Sequence, residues 1–245
     1  MKPRVLLFDI ETSPNLAYVW GKYQQDVVAF EEEWKIISVA YKWLDEKPVH
    51  CKALCDYKKG HKELQLLSHI WDLFDSADVV IAHNGDSFDI RKVKARMLAH
   101  NMQPPSMFAT VDTLKVARKY FKLNSNKLND IAKTLQIGEK VKHTGFDLWL
   151  GCIRDDKKSW GLLKKYNKQD VRLLEKVYLA MLPWMEKHPN MALLEGHSGC
   201  PKCGSEEIRK DGLESALGSV NAVAAAFAVE ASDLIAASQR TGGVS

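Results

Sequence analysis

Apolar residues fill almost every position from Val5 to Ile10, and the run closes on Glu11. Consecutive apolar positions mark a strand covered on both faces, which predicts one over Arg4–Glu11. Trp34–Trp43 (WKIISVAYKW) alternates more cleanly and reads as a second strand. After the turn LDEKP, Val49–Leu54 reads as a third, and three strands so placed form an antiparallel meander. The period then lengthens. Leu64, Leu67, Trp71 and Phe74 recur at helical spacing within His61–Phe74. Asp78–Ala82 is a short buried strand that opens through HNGDSF into a basic helix, Asp89–His100, which NMQPPSM breaks. Phe108–Asp112 gives one more short strand. Helices follow at Thr113–Tyr120 and about Lys127–Leu135, and a long one from near Ser159 to Lys187. The expected fold class is α/β: a mixed sheet, an antiparallel three-strand meander plus parallel strands, flanked by helices.

Residues 1–190 read as one domain, 191–213 as a linker that begins in Pro189–Gly199, and 214–245 as an alanine-rich tail. In the tail Leu217, Val220, Ala224, Phe227, Ala231 and Leu234 keep helical spacing, which fits an amphipathic helix or a non-native sequence equally. Charge sharpens the division. The net is +4, but the tail sets Glu214, Glu230 and Asp233 against Arg240, so the rest of the chain is +6. That excess suits a polyanionic partner and equally a lysine-rich soluble surface. Residues 1–20 lack the basic, apolar, small-residue progression of a secretory signal. No apolar run reaches the ~18 residues that cross a bilayer, so no membrane partner is expected. Five cysteines make no even framework, which points to a reducing cytoplasm.

Three polar clusters interrupt the apolar pattern. Asp9 and Glu11, two apart on a strand, share one face, where two carboxylates repel unless a cation compensates. A lysine could do so, and so could a divalent metal with its preference for hard oxygen ligands. The second cluster, HNGDSFD, offers Asn84, Phe88 and Asp89 where a strand turns into a helix. An Asn-Gly turn with a capping aspartate explains these residues one by one. In the third, LLKKYNKQDVRLLEKVY, Tyr166 and Asp170 are four apart on the last helix and share its apolar stripe with Leu163, Leu174 and Val177.

In order, these clusters read D-x-E on a first strand, N-x-x-x-F-D after a later strand and Y-x-x-x-D on a late helix. The set resembles the three motifs of the DEDD superfamily of 3′–5′ exonucleases, in its tyrosine subclass, over roughly residues 4–185. The N-x-x-x-F-D form is similar to family B polymerase proofreading domains and to stand-alone phage and bacterial DNA exonucleases. VDTLKVARKYF, SNKLNDIAKTLQIG and GFDLWL are similar to the stand-alone phage type.

The resemblance implies a ribonuclease-H-like fold, two Mg2+ or Mn2+ ions about 3.5–4 Å apart, and hydrolysis at single-stranded DNA 3′ ends. By similarity, Asp9 bridges both ions, Glu11 and Asp170 share the metal that activates water, and Asp89 assists the second. Tyr166 is the remaining catalytic residue. With an ordinary pKa of about 10 it orients water or phosphate through its hydroxyl. Ile10, Thr12, Asn84 and Phe88 are the implied substrate contacts, with core packing the simpler use of Phe88. Lys92, Lys94, Arg96, Lys164, Lys165 and Lys168 are candidates for phosphate contact or for a solvated face.

The implied setting is phage or bacterial replication, repair or proofreading, with a DNA polymerase as a possible partner. An RNase D-like exoribonuclease shares the motifs, since DNA and RNA are told apart by contacts to the 2′-hydroxyl. A silent nucleic-acid-binding module conflicts with all four carboxylates being present. A resolvase-like endonuclease does not account for N-x-x-x-F-D with Y-x-x-x-D. Finally, Cys200 and Cys203 (C-P-x-C-G) have the spacing of one zinc knuckle, with His197 a third candidate ligand. The second pair that completes a zinc ribbon does not follow.

Overall fold

The computed structural model describes residues 2–23, 26–58 and 60–207. The tail read over 214–245 lies outside the described residues. Two helical layers enclose a five-stranded sheet. Strand β1 (Val5–Thr12) sits at its centre, between β4 (Ile36–Trp43) on one side and β6 (Val79–Ala82) on the other. Beyond them β5 (His50–Ala53) and β7 (Ala109–Asp112) form the edges. β1, β4 and β5 make the antiparallel meander, while β6 and β7 run parallel to β1. The mixed sheet expected from the pattern is therefore present.

The alternation along β1 divides the core. Leu6, Phe8 and Ile10 face a layer made by α1 (Lys62–Asp75) and α2 (Asp89–Ala99), meeting Leu66, Ile70, Phe74 and Val93. Val5 and Leu7 face the other layer, α3 (Thr113–Tyr120), α4 (Leu128–Thr134) and the long α6 (Lys157–Met181). There they meet Ala117, Ile131, Val171, Leu174 and Val177. Burial of such side chains contributes roughly 1.5–3 kcal/mol each, so the register of β1 is fixed firmly. A slip by one residue would turn Asp9 and Glu11 into the α1–α2 layer.

Several elements differ from the expectation. A hairpin, β2 (Leu16–Tyr18) with β3 (Ala29–Glu32), grows from the end of β1. Its strands have no buried face, so no alternation announced them. Helix α5 (Phe146–Ile153) also escaped the periodic reading, since only Leu148 and Cys152 are buried. Helix α6 starts at Lys157 because the Asp156 side chain caps it, accepting from Ser159 N–H at 2.8 Å. It ends at Met181 rather than Lys187, because Pro183 has no N–H to donate and the chain tightens into a 3₁₀ turn, Leu182–Trp184. The stretch read as a linker contains helix α7 (Met191–Glu195), whose Met191 and Ala192 are buried. Among the described residues no helix is long and apolar enough to cross a membrane.

Candidate active site

Val5, Leu7, Asp9 and Glu11 lie on one face of β1, and where its apolar run stops the carboxylates begin. Helix α6 packs across that face through Val171, Leu174 and Val177. Asp170, one position before Val171, is thereby carried to the carboxylate end and is 2 % exposed. Asp9, Glu11 and Asp170 each offer an oxygen within 4.8 Å of the others. Asp89, the first residue of α2, is buried, and its Oδ1 accepts the Ile10 N–H at 3.2 Å. Of the four carboxylates expected to converge, Asp9, Glu11 and Asp170 form the close group, and Asp89 stands outside it although its charge reaches Asp9.

This concentration of negative charge is unbalanced. Burial, then the charges of Asp89, Glu11 and Asp170, hold the Asp9 carboxyl well above its usual range. Burial and then Asp170 push Glu11 up to about 8. Asp89 rises to about 7, chiefly through burial, against the Ile10 N–H that favours its charged form. Asp170 is raised by burial and partly rescued by Lys140. Lys140 Nζ lies 2.5 Å from Asp170 Oδ2 and 3.2 Å from the Tyr166 hydroxyl. Among the described residues the Lys140 ammonium faces this cluster of carboxylates, and Asp170 Oδ1 is buried with no hydrogen-bond partner. A hard-oxygen donor set with an orphaned carboxylate oxygen and unmet cation demand fits a divalent metal ion.

Tyr166 lies one turn before Asp170. Burial and the Asp170 charge push its hydroxyl up to about 12, so it is a neutral phenol at pH 7. Its ring stands edge-on to His143, with centroids 4.9 Å apart, and His143 in turn packs against Trp149 of α5 at 5.2 Å. The α5 segment therefore forms one wall of the site.

Asp89 is placed by the turn between β6 and α2. Asn84 takes a left-handed backbone (φ 71°), which asparagine tolerates. The turn is held by Asp112, whose Oδ1 accepts the Asn84 N–H at 2.8 Å and whose Oδ2 accepts the Asp86 N–H at 3.3 Å. Gly85 is needed for room: a Cβ there would stand 2.4 Å from the Ala82 Cβ. Gly85→Ala is expected to cost about 1–3 kcal/mol through overpacking. It should lower activity by displacing Asp89; chemical denaturation beside a digestion assay checks both.

The implied substrate contacts separate. The Ile10 side chain is buried in the core, and only its N–H reaches the site. Thr12 ends β1 at an irregularity in its register with β4 and is partly exposed. Asn84 is partly buried. Phe88 is 40 % exposed, which overturns core packing as its use. Lys92 lies 5.1 Å from the Phe88 ring centroid and 3.5 Å from that of Trp34. Of the other basic candidates, Arg96 is bound in a two-pronged ion pair by Glu63, and Lys164 pairs with Asp56.

Lys140 and Asn167 escaped the sequence reading. Lys140 lies in a loop with no periodicity to mark it. Asn167 left a signal: a poor helix former inside a long helix, next to Tyr166.

At the other end of the described chain, Cys200 Sγ accepts the Lys202 and Cys203 N–H groups at 3.2 and 3.4 Å. His197 has both ring nitrogens engaged, by Glu195 and by the Gly199 N–H. Among the described residues no third ligand atom joins the two thiols, so they supply half of a four-ligand zinc site.

Among curated protein sequences nothing matches the chain. Solved structures do. The family B DNA polymerase from the hyperthermophilic archaeon Pyrobaculum calidifontis superposes with a TM-score of 0.56 at 16 % identity, over 75 % of this chain. That match spans only 25 % of the polymerase chain, and at this identity it speaks for the fold. The RNase_H superfamily model, RNase_H_2, matches residues 6–182, from the start of the central strand through the end of α6. With its mixed sheet, flanking helices and acidic cluster at the central strand, the chain belongs to the RNase_H superfamily and has the fold of a ribonuclease-H-like nuclease.

Proposed function

We propose that this chain is a divalent-metal-dependent 3′–5′ exonuclease of the DEDD type, tyrosine subclass, acting on single-stranded DNA ends. The observation that carries the reading is the convergence of Asp9, Glu11 and Asp170 within 4.8 Å from two elements, β1 and α6, far apart in sequence. Asp89 stands behind Asp9, and Tyr166 sits one turn from Asp170. DNA is favoured over RNA by the likeness to a DNA polymerase. The setting proposed is the cytoplasm of a bacterium or a phage-infected cell, in replication or repair, including proofreading beside a polymerase.

Asp9, Glu11, Asp170 and Asp89 are the residues to hold two Mg2+ or Mn2+. Bound there, the metals supply water activation at neutral pH and neutralisation of charge on the phosphate. The chain's own residues do the rest. The Tyr166 phenol donates a hydrogen bond to the scissile phosphate or to the attacking water, since it holds its proton at neutral pH. The ammonium of Lys140 screens Asp170 when no other cation is near. Asp89 and Asp170 are buried and Asp9 and Glu11 half-buried, which keeps their geometry fixed before substrate arrives. Phe88, exposed beside Asp89, is placed to stack on a terminal base, and Lys92 beside it to meet a phosphate.

Oligonucleotides labelled at the 5′ or the 3′ end, digested with and without Mn2+, test this. The 5′-labelled strand should shorten stepwise and the 3′ label should leave at once as a mononucleotide, in metal alone. Release of the 5′ label first, or nicking of closed circles, would overturn the assignment. Matched RNA strands digested as fast as DNA would move the substrate class.

A further inference from the structure

We propose that Asn167, backed by Ser38, is a positioning residue that holds the Asp9 carboxylate in its metal-binding pose and so sets the site's metal affinity. The inference rests on the metal-dependent reading above. Asn167 and Ser38 are both fully buried (0 % exposed). Asn167 Nδ2 donates to Asp9 Oδ2 at 2.6 Å and to the Asp9 carbonyl at 3.2 Å. On its other side, Asn167 Oδ1 accepts the Ser38 hydroxyl at 2.9 Å, with the Cys51 thiol at 3.9 Å. The orientation of the amide follows from these partners. Asp9 presents two acceptors, which only the NH2 group can satisfy, while the hydroxyl and thiol turn donors toward the carbonyl oxygen.

A purely structural account leaves the residue type unexplained. Asparagine is a poor helix former, by roughly 0.7 kcal/mol against alanine. This position lies in the interior of α6, beside buried Val171 and Leu174, where an apolar side chain would extend the stripe. What an amide provides there is a neutral donor. It holds the Asp9 carboxylate by a directed hydrogen bond without bringing a cation that competes for the same oxygens. It also links β1, which carries Asp9 and Glu11, to α6, which carries Asp170 one turn further on. The two sources of ligands are thus fixed to each other before any metal binds, and Ser38, opposite Glu11 in the sheet register, fixes the amide in turn.

The test is Mn2+ binding by calorimetry on Asn167→Ala, Ser38→Ala and Asp9→Ala, with the melting temperature of each metal-free variant recorded. Loss of a partner behind a metal ligand typically weakens binding 10–100-fold, so about that loss is expected for Asn167→Ala and a smaller one in the same direction for Ser38→Ala. At saturating Mn2+, Asn167→Ala should recover most of its kcat, with the oligonucleotide KM within about twofold of wild type, which a merely structural defect would not allow. A folded Asn167→Ala that binds Mn2+ within twofold of wild type overturns the proposal. If that variant does not fold, unchanged affinity in Ser38→Ala overturns it. Asp9→Ala separates the two levels of inference: Mn2+ binding that survives its loss removes the metal site itself, and this proposal with it.

Discussion

Asp9→Ala should reduce metal-dependent digestion of a 3′-ended oligonucleotide by roughly 10^3-fold or more, the scale of several kcal/mol of lost transition-state stabilisation. Asp9 is the residue for which the largest effect is expected, because it stands between the others. Its carboxyl feels the charges of Asp89, Glu11 and Asp170 together. It also lies on the central strand, paired with Ala40 of β4 just beyond the stretch that β6 holds on the other side. Tyr166→Phe should cost less, about 10–100-fold, the worth of one hydrogen bond to a charged group. The ordering of the two variants is as informative as their size. A tyrosine variant more damaged than the aspartate variant would point to acid–base chemistry at the phenol, against its pKa of about 12. An Asp9→Ala protein that digests at the wild-type rate would place the nuclease activity elsewhere.

The sheet was legible because burial writes itself into the residue pattern. Val5–Ile10 is apolar on both sides since β1 is covered on both sides, and Asp9 and Glu11 stand out against it for the same reason. Asp170 was legible through its spacing from Tyr166 on a helix whose stripe faces that strand. What could not be read has equally physical causes. The β2–β3 hairpin exposes Leu16, Tyr18, Phe30 and their neighbours, so its strands lack the alternation that comes from having an inside. Lys140 reaches Asp170 across 30 residues of sequence from a loop without regular structure, so no local pattern predicts the contact. Asn167 was visible as an odd residue in a helix, but its meaning depends on Ser38 and Asp9, which lie 129 and 158 residues away. For Phe88 the sequence left two uses open, core packing or substrate contact, and only its place at the N-cap of α2, where it is 40 % exposed, removes the first.

Without metal, the same carboxylates should work against the fold as pH rises. A carboxyl whose folded pKa lies above its unfolded value contributes stability that is complete below the unfolded value and lost as pH climbs through the folded one. Glu11 is moved from 4.5 to about 8 and Asp89 from 3.8 to about 7, and Asp9 and Asp170 are raised as well. The loss therefore falls between about pH 4 and pH 8. Three half-buried histidines, His69, His83 and His188, have pKa values pushed down by desolvation and gain stability over part of the same range. The diagnostic is therefore the difference between wild type and Asp9→Asn, which removes one charge and keeps the histidines. In chelator, Asp9→Asn should melt above wild type at pH 8 and close to it at pH 5. One unit of pKa shift relieved is worth about 1.4 kcal/mol, or about 3–6 °C for a chain of this size, so a gap of at least about 4 °C is expected at pH 8. Adding Mn2+ should then reverse the order, because the ion binds the folded wild-type carboxylates and stabilises them by about 2.7 kcal/mol at a hundredfold excess over its Kd. Asp9→Asn should gain little. Equal melting of the two proteins at pH 8, with and without Mn2+, would mean that the cluster is neither strained when empty nor relieved by a divalent ion, and the metal-centred reading of β1 and α6 would have to be given up.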